Sequence, residues 1–166
     1  MAQTKLGEQP ANTNGNLPEL NSTAPDFILT GTDMKEIRLR DYAGKNVVLN
    51  IFPSVDTSTC ASSVREFNKR AAALPDTVVL NIAKDLPFAM KRFCATEGIK
   101  HVYLASDFRN LGFGKNYGTE LVDSAFAGLF ARAVVVINKQ GKVSHTQLVP
   151  QIGDEPDYDS AIKALN

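Results

Sequence analysis

Residues 46–60, NVVLNIFPSVDTSTC, lead from an apolar run through a turn to a cysteine. The first seven residues are mostly apolar and β-branched on both faces, which is typical of a parallel strand buried within a sheet. Pro53 and the polar residues after it end the strand. The stretch therefore predicts a buried strand, a turn and then a helix, with Cys60 close to the N-terminus of that helix.

The helix after the cysteine is amphipathic. Its apolar side chains recur at helical spacing, at Val64, Phe67, Ala71 and Leu74, while charged side chains occupy the other face. Ser63 and Glu66 fit a capping box, but a start nearer Cys60 is equally compatible with the pattern. We favour the earlier start, which places Cys60 in the first turn.

Strands and helices alternate along the rest of the chain. A second buried strand is expected over residues 77–83, followed by a helix with Asp85 as N-cap, Pro87 in its first turn and Gly98 as C-cap. Further strands are expected over residues 26–30, 36–39, 101–105, 133–137 and 142–148, and a closing helix over residues 156–165. The first two and the last two of these strands are separated by turn residues, which predicts two hairpins.

This order of elements suits an α/β fold, a thioredoxin-like three-layer sandwich with a mixed central sheet and an N-terminal β-hairpin. The length of 166 residues and a hydrophobic content of 43% fit one globular domain over residues 1–166. Residues 1–20 are expected to be a polar N-terminal segment. That segment lacks the apolar core of a secretory signal.

Composition narrows the classes of molecule that the protein is expected to bind. The 18 basic and 18 acidic residues cancel, so no basic footprint for nucleic acid or an anionic membrane is expected. No apolar run approaches the roughly 20 residues that span a bilayer. The two cysteines are too few for a disulfide scaffold, and no cysteine or histidine has zinc-ligand spacing, so no metal is expected. In a reducing cytoplasm, a bond between Cys60 and Cys94 would be transient and catalytic.

The position of Cys60 favours nucleophilic chemistry. Free backbone N–H groups and the dipole at a helix N-terminus stabilise a thiolate. Cleaving an oxygen–oxygen bond also needs donors that stabilise charge on the oxygens. Thr57 could point its hydroxyl toward the sulfur, and Arg132, directly before an apolar strand, could supply a planar cation. Thr57 could instead be an N-cap, and Arg132 could pair with a surface carboxylate.

The same residues carry a resemblance to a known family. Pro53, Thr57 and Cys60 match the Pro-x-x-x-Thr-x-x-Cys signature of peroxiredoxins, and Arg132 stands in a matching place. More narrowly, the chain resembles the bacterial thiol peroxidase branch, the atypical two-cysteine peroxiredoxins, in four stretches: NIFPSVDT at 50–57, DLPFA at 85–89, RFC at 92–94 and ARAVVV at 131–136. The similarity extends from about residue 21 to the C-terminus.

The resemblance implies a homodimer of thioredoxin fold, active in antioxidant defence. A cytoplasmic location is expected because the N-terminal segment has no secretory signal, and no cofactor is expected. The resemblance also implies reduction of hydrogen peroxide and alkyl hydroperoxides, with thioredoxin as the reductant. Cys60 would attack the peroxide, Thr57 and Arg132 would activate it, and Pro53 would shield the sulfenic acid. Cys94 would resolve that acid as a Cys60–Cys94 disulfide.

Three other functions compete with this interpretation. A disulfide reductase would need two cysteines separated by two residues, and the chain has no such pair. A Cys-His hydrolase would need a histidine beside Cys60, and neither histidine lies in a recognisable motif. A redox sensor that forms the disulfide without turnover is compatible with the sequence. For Cys94, an inert packed thiol also stays open.

Overall fold

The computed structural model describes residues 1–165 of the chain. The strands are β1 (Gln3–Leu6), β2 (Gln9–Asn12), β3 (Ile28–Gly31), β4 (Glu36–Arg38), β5 (Asn46–Ile51), β6 (Thr77–Ala83), β7 (Tyr103–Ser106), β8 (Ala133–Ile137) and β9 (Val143–Leu148). The helices are α1 (Ser58–Ala71), α2 (Pro87–Glu97), α3 (Phe113–Tyr117) and α4 (Tyr158–Lys163), with a 3-10 helix over Leu39–Tyr42. No helix within residues 1–165 is long and apolar enough to cross a bilayer.

Seven strands form one mixed sheet in the order β4-β3-β7-β6-β5-β8-β9. β5, β6 and β7 are parallel, while β8 runs antiparallel to β5 with Ile51 opposite Ala133. The carboxyl end of β5 and the amino end of β8 therefore lie side by side, at the same end of these two interior strands. This register brings the turn after β5, which leads to Cys60, next to Arg132.

Apolar side chains cover both faces of the sheet, because successive residues of a strand point to opposite faces. In β5, Val47 and Leu49 contribute to one buried cluster, whereas Val48 contributes to the other. The second cluster also holds Cys60 and Phe67 of α1. The two-faced burial explains why β5 and β6 are apolar throughout and confirms the predicted three-layer mixed α/β fold.

Most predicted elements agree closely with the structure. β6 and β8 have the predicted bounds, and α1 begins at Ser58, in agreement with the earlier of the two predicted starts. The predicted N-terminal hairpin is present as β3 and β4, and it joins the main sheet because β3 pairs with β7. The predicted strand at 101–105 begins two residues later, at Tyr103, and the closing helix is shorter, Tyr158–Lys163.

The prediction that Asp85 is the N-cap of α2 is wrong. The N-cap is Leu86, with Pro87 at the first helical position, whereas Gly98 is the C-cap as predicted. The Asp85 carboxylate instead accepts hydrogen bonds from the Ser54 hydroxyl at 2.6 Å and from the Val55 backbone N–H at 3.1 Å. It therefore stabilises the turn that leads to α1.

Three elements were not predicted, one of them the 3-10 helix over Leu39–Tyr42. The polar segment 1–20 contains a second antiparallel hairpin, β1–β2, which forms a sheet of its own. Its buried residues Thr4 and Ala11 are small, so the segment carries no strong apolar alternation. The third unpredicted element is α3, a helix of five residues.

Gly118, the C-cap of α3, has a backbone conformation (φ 65°, ψ 32°) almost identical to that of Gly98 (φ 66°, ψ 35°). A Cβ on Gly118 would lie 2.2 Å from the Asn16 carbonyl oxygen, whereas a Cβ on Gly98 would meet nothing within 4 Å. Gly98→Ala should lower the free energy of unfolding by about 1–2 kcal/mol, the cost of the left-handed conformation.

Gly118→Ala carries the same conformational cost and a steric clash in addition. We expect a further loss of about 1–3 kcal/mol relative to Gly98→Ala, measured by urea denaturation. Equal losses in the two variants would show that the close approach between residues 16 and 118 does not constrain the fold.

Candidate active site

Cys60 lies in the first turn of α1 and is fully buried, with 0% of its surface exposed. The first backbone hydrogen bond of this turn runs from Ala61 N–H to the Thr57 carbonyl. The N–H groups of Ser58, Thr59 and Cys60 therefore have no acceptor within the helix. These donors, together with the positive end of the helix dipole, favour negative charge at this end of α1.

Arg132 reaches the same end of α1 from the start of β8. The side chain is 2% exposed, and its Nη2 lies 3.3 Å from the Cys60 sulfur. Its Nε donates to the Ile152 carbonyl at 2.8 Å. Its Nη1 is buried and has no hydrogen-bond partner among residues 1–165. The guanidinium is thus held by one backbone contact, faces the sulfur and leaves one terminal nitrogen without a partner among residues 1–165.

A small pocket of about 190 Å³ opens beside this guanidinium. Polar and apolar groups share its lining, which consists of Leu6, Pro53, Thr57, Ser58, Thr59, Phe126, Arg132, Ile152 and Gly153. Predicted site residues Pro53, Thr57 and Arg132 therefore share one pocket, and Arg132 links it to the Cys60 sulfur. A small polar molecule in the pocket would meet the cation that contacts the sulfur.

The Thr57 hydroxyl does not contact the sulfur in this structure. Thr57 occupies the N-cap position of α1, but its side chain makes no capping hydrogen bond. The hydroxyl donates to the Ser54 carbonyl at 3.2 Å. The alternative that Thr57 is an N-cap is thus correct for its position, but the side chain does not make the hydrogen bond of a cap.

A buried polar network below Cys60 was missed by the sequence analysis. Ser63 donates to the Cys60 carbonyl at 2.8 Å, and Asn50 donates to Ser63 at 3.1 Å and to Asn81 at 2.8 Å. Asn50 and Asn81 are directly opposite each other in β5 and β6. Asparagine in two otherwise apolar strands was the available signal. The network ties the first turn of α1 to the middle of the sheet.

Cys94 lies in a different environment on α2. Both cysteines are free thiols, but Cys94 is only partly buried, whereas Cys60 is buried. Cys94 borders a cavity of about 430 Å³ beside Ile99 and Val102. A separate groove of about 370 Å³ lies between the first turn of α1 and α2, where it is lined by residues such as Ala61 and Phe93. The two thiols therefore lie on separate helices, and the cavity that Cys94 borders is separate from the pocket beside Arg132.

Burial raises the pKa of the Cys94 thiol above its ordinary value, because desolvation disfavours the thiolate. In a Cys60→Ser variant, alkylation of Cys94 by iodoacetamide should therefore follow a pH midpoint above that of a free cysteine. When the protein is unfolded in urea, the pH midpoint of alkylation should shift down to that of a free cysteine. Identical midpoints in the folded and unfolded protein would contradict the buried environment of Cys94.

Comparisons with known proteins agree with this geometry. The family model described as Redoxin matches residues 19–162. A thiol peroxidase of Mycobacterium tuberculosis (strain ATCC 25618 / H37Rv) is 53% identical over 165 residues, which cover 99% of each chain. A thiol peroxidase of Corynebacterium glutamicum is 49% identical over 166 residues and 100% of both chains.

Solved structures give the same grouping. A peroxiredoxin-like protein from Aquifex aeolicus has a TM-score of 0.93 and 34% identity, covering 99% of this chain and 96% of its own. A thiol peroxidase from Chromobacterium violaceum has a TM-score of 0.89 at 20% identity, covering 97% and 93%, and this match supports the fold alone. The curated relatives also extend over the N-terminal segment, beyond the residues on which the resemblance was first based.

Proposed function

The chain belongs to the Redoxin family and groups with its thiol peroxidases, and we propose that it reduces hydrogen peroxide and alkyl hydroperoxides with Cys60 as the nucleophile. One observation carries the proposal: the buried Arg132 guanidinium contacts the Cys60 sulfur at 3.3 Å through Nη2 and keeps Nη1 unpartnered among residues 1–165. A thiolate beside a fixed cation with a spare donor is suited to attack on a peroxide.

In the first step, the Cys60 thiolate attacks the terminal oxygen of the peroxide, and the oxygen–oxygen bond breaks. The bonding pair leaves with the second oxygen, which takes a proton and departs as water or alcohol. The sulfur, oxidised by two electrons, becomes a sulfenic acid. Negative charge grows on the departing oxygen, so preorganised donors lower the barrier.

The donors around the pocket fit this requirement. Nη1 of Arg132 and the N–H groups at the start of α1, which have no acceptor within the helix, can stabilise the peroxide oxygens. The Thr57 hydroxyl, 3.2 Å from the Ser54 carbonyl, needs only a side-chain rotation to turn toward a bound peroxide. Pro53 lines the same pocket and would limit the access of water to the sulfenic acid.

In the second step, the Cys94 thiol attacks the Cys60 sulfenic acid, forming a disulfide and releasing water. A disulfide needs Cα atoms about 4.4–6.8 Å apart, whereas neighbouring helix axes lie about 8–10 Å apart. We therefore propose that the first turn of α1 and part of α2 unwind. Unwinding would also expose Cys94 to water and remove the burial that disfavours its thiolate.

The remaining parts of the proposal rest on the family. We propose that thioredoxin reduces the disulfide by thiol–disulfide exchange, and that the protein needs no cofactor or metal. We also propose that the chain is one domain and works as a cytoplasmic homodimer in antioxidant defence.

The other candidate functions have less support. A Cys-His hydrolase would need a histidine near Cys60, but His145 lies in β9 opposite Val136 and His101 is exposed before β7. A redox sensor without turnover would use the same two cysteines. Turnover separates a sensor from a peroxidase, because a sensor stops after one oxidation.

The test couples peroxide reduction to thioredoxin, thioredoxin reductase and NADPH. The parent protein should consume NADPH continuously after peroxide is added, and Cys60→Ser should abolish this consumption. Cys94→Ser should react once and accumulate a sulfenic acid, which dimedone traps. Intact-mass and peptide analysis of the parent after one equivalent of peroxide should show the loss of two hydrogens at a Cys60–Cys94 pair.

Two results would contradict the proposal. NADPH consumption that ends after about one equivalent of peroxide would identify a sensor. Continued consumption in Cys60→Ser would place the nucleophile elsewhere.

A further inference from the structure

The N-terminal hairpin β1–β2 forms a separate two-stranded sheet, yet β1 and the turn after it bond to residues 149–153, which lie beside the pocket. We propose that this hairpin is a positioning element for Arg132: by holding residues 149–153, it fixes the plane of the guanidinium that serves Cys60. The inference rests on the proposed peroxidase function. Its residues act through Arg132 and not on the peroxide itself.

Backbone and side-chain contacts from β1 hold the segment. The Lys5 N–H donates to the Pro150 carbonyl at 2.9 Å, and the Ile152 N–H donates to the Lys5 carbonyl at 2.8 Å. Thr4, which is 2% exposed, places its hydroxyl 2.7 Å from the Val149 carbonyl and 2.9 Å from that of Pro150. One buried hydroxyl therefore bridges two consecutive carbonyls at the start of the segment.

The turn of the hairpin adds a second attachment. Gln151 uses both atoms of its side-chain amide on Gly7, accepting from the Gly7 N–H and donating to the Gly7 carbonyl, each at 3.0 Å. This pair of bonds imitates the backbone pairing of a strand. Residues 149–153 are thus bound to the hairpin along their length.

The opposite side of the segment contacts the active site. The Ile152 carbonyl accepts from Arg132 Nε at 2.8 Å, and the Val149 N–H donates to the Arg132 carbonyl at 2.9 Å. The Gly153 carbonyl accepts from the Thr59 hydroxyl in the first turn of α1 at 2.9 Å. The segment therefore holds both the arginine and the turn that carries Cys60.

The planar side chain of Arg132 makes its orientation depend on the position of the Ile152 carbonyl. The guanidinium is planar, so a hydrogen bond at Nε sets the directions of both terminal nitrogens. With Nε on Ile152, Nη2 meets the Cys60 sulfur and Nη1 has no partner among residues 1–165. A shift of the Ile152 carbonyl would turn both nitrogens away, and misplacement of a catalytic group by about 1 Å can cost about 100-fold in rate.

The hairpin also packs against the same part of the chain. Leu6 packs on a small buried cluster that contains Ala131 and Ile152, the former next to Arg132 in sequence and the latter bonded to it. Leu6 itself lines the pocket. Because the hairpin lies outside the seven-stranded sheet, its hydrogen bonds can be altered without breaking a strand pair of that sheet.

The test uses a Cys94→Ser background, in which Cys60 reacts once. Thr4→Val keeps the shape of the side chain and removes the hydroxyl, whereas Thr4→Ser restores a hydroxyl. Gln151→Ala removes the second attachment from a partly exposed site. Gln3→Ala is the matched control, because within residues 1–165 the side-chain amide of Gln3 bonds to Asn12 inside the hairpin and not to residues 149–153.

Two rate constants are measured for Cys60, oxidation by hydrogen peroxide and alkylation by iodoacetamide. Alkylation needs the Cys60 thiolate but no donor for a departing oxygen, so displacement of Arg132 should lower the rate constant for peroxide more than the rate constant for alkylation. We expect Thr4→Val to lower the ratio of the peroxide to the alkylation rate constant about tenfold and Gln151→Ala about threefold. Thr4→Ser and Gln3→Ala should stay within about twofold of the parent.

One outcome would overturn the inference, namely an unchanged ratio in both Thr4→Val and Gln151→Ala. The ratio stays unchanged if neither rate constant moves, and also if both fall in parallel, which would indicate general loosening of the site. A parent protein that reacts with peroxide no faster than a free thiol would contradict the proposed function itself, so the two failures are distinguishable.

Discussion

The site depends on one contact, the buried Arg132 guanidinium against the Cys60 sulfur. A buried cation is costly unless it is paired, and the structure gives Arg132 a backbone carbonyl and a sulfur as its partners. The sheet register makes the contact possible, because antiparallel pairing of β5 and β8 brings residues 53–60 and Arg132 to the same end of these two strands. The pairing of β5 with β8 thus determines which cation lies beside the Cys60 sulfur.

The same site faces two opposing requirements. Attack on a peroxide favours a fixed first turn of α1, and the Ser63–Asn50–Asn81 network supplies that constraint. Disulfide formation with a cysteine on another helix favours a turn that can unwind. A net hydrogen bond contributes only about 0.5–1.5 kcal/mol, so such a network can hold the turn without preventing local opening.

The sequence predicted the parts of the fold that are governed by burial. β6 and β8 have the predicted bounds because continuous β-branched runs indicate strands covered on both faces. The grouping of Pro53, Thr57 and Arg132 also followed from motif and position. The hairpin β1–β2 was missed because Thr4 and Ala11 give little apolar periodicity. Two other features, the pairing of Asn50 with Asn81 and the contact of Asp85 with the turn, depend on tertiary contacts that local pattern does not contain. The Thr57 hydroxyl bonds locally, to the Ser54 carbonyl three residues earlier.

The most direct test of the central contact is the rate constant for oxidation of Cys60 by hydrogen peroxide in Arg132→Lys, in a Cys94→Ser background. Lysine keeps the charge but cannot place one nitrogen on the Ile152 carbonyl, one on the sulfur and one in the pocket. We expect a decrease of about 100-fold or more, comparable to the loss of an oxyanion donor in other enzymes. A rate constant within about threefold of the parent would show that the planar guanidinium is not what drives the reaction.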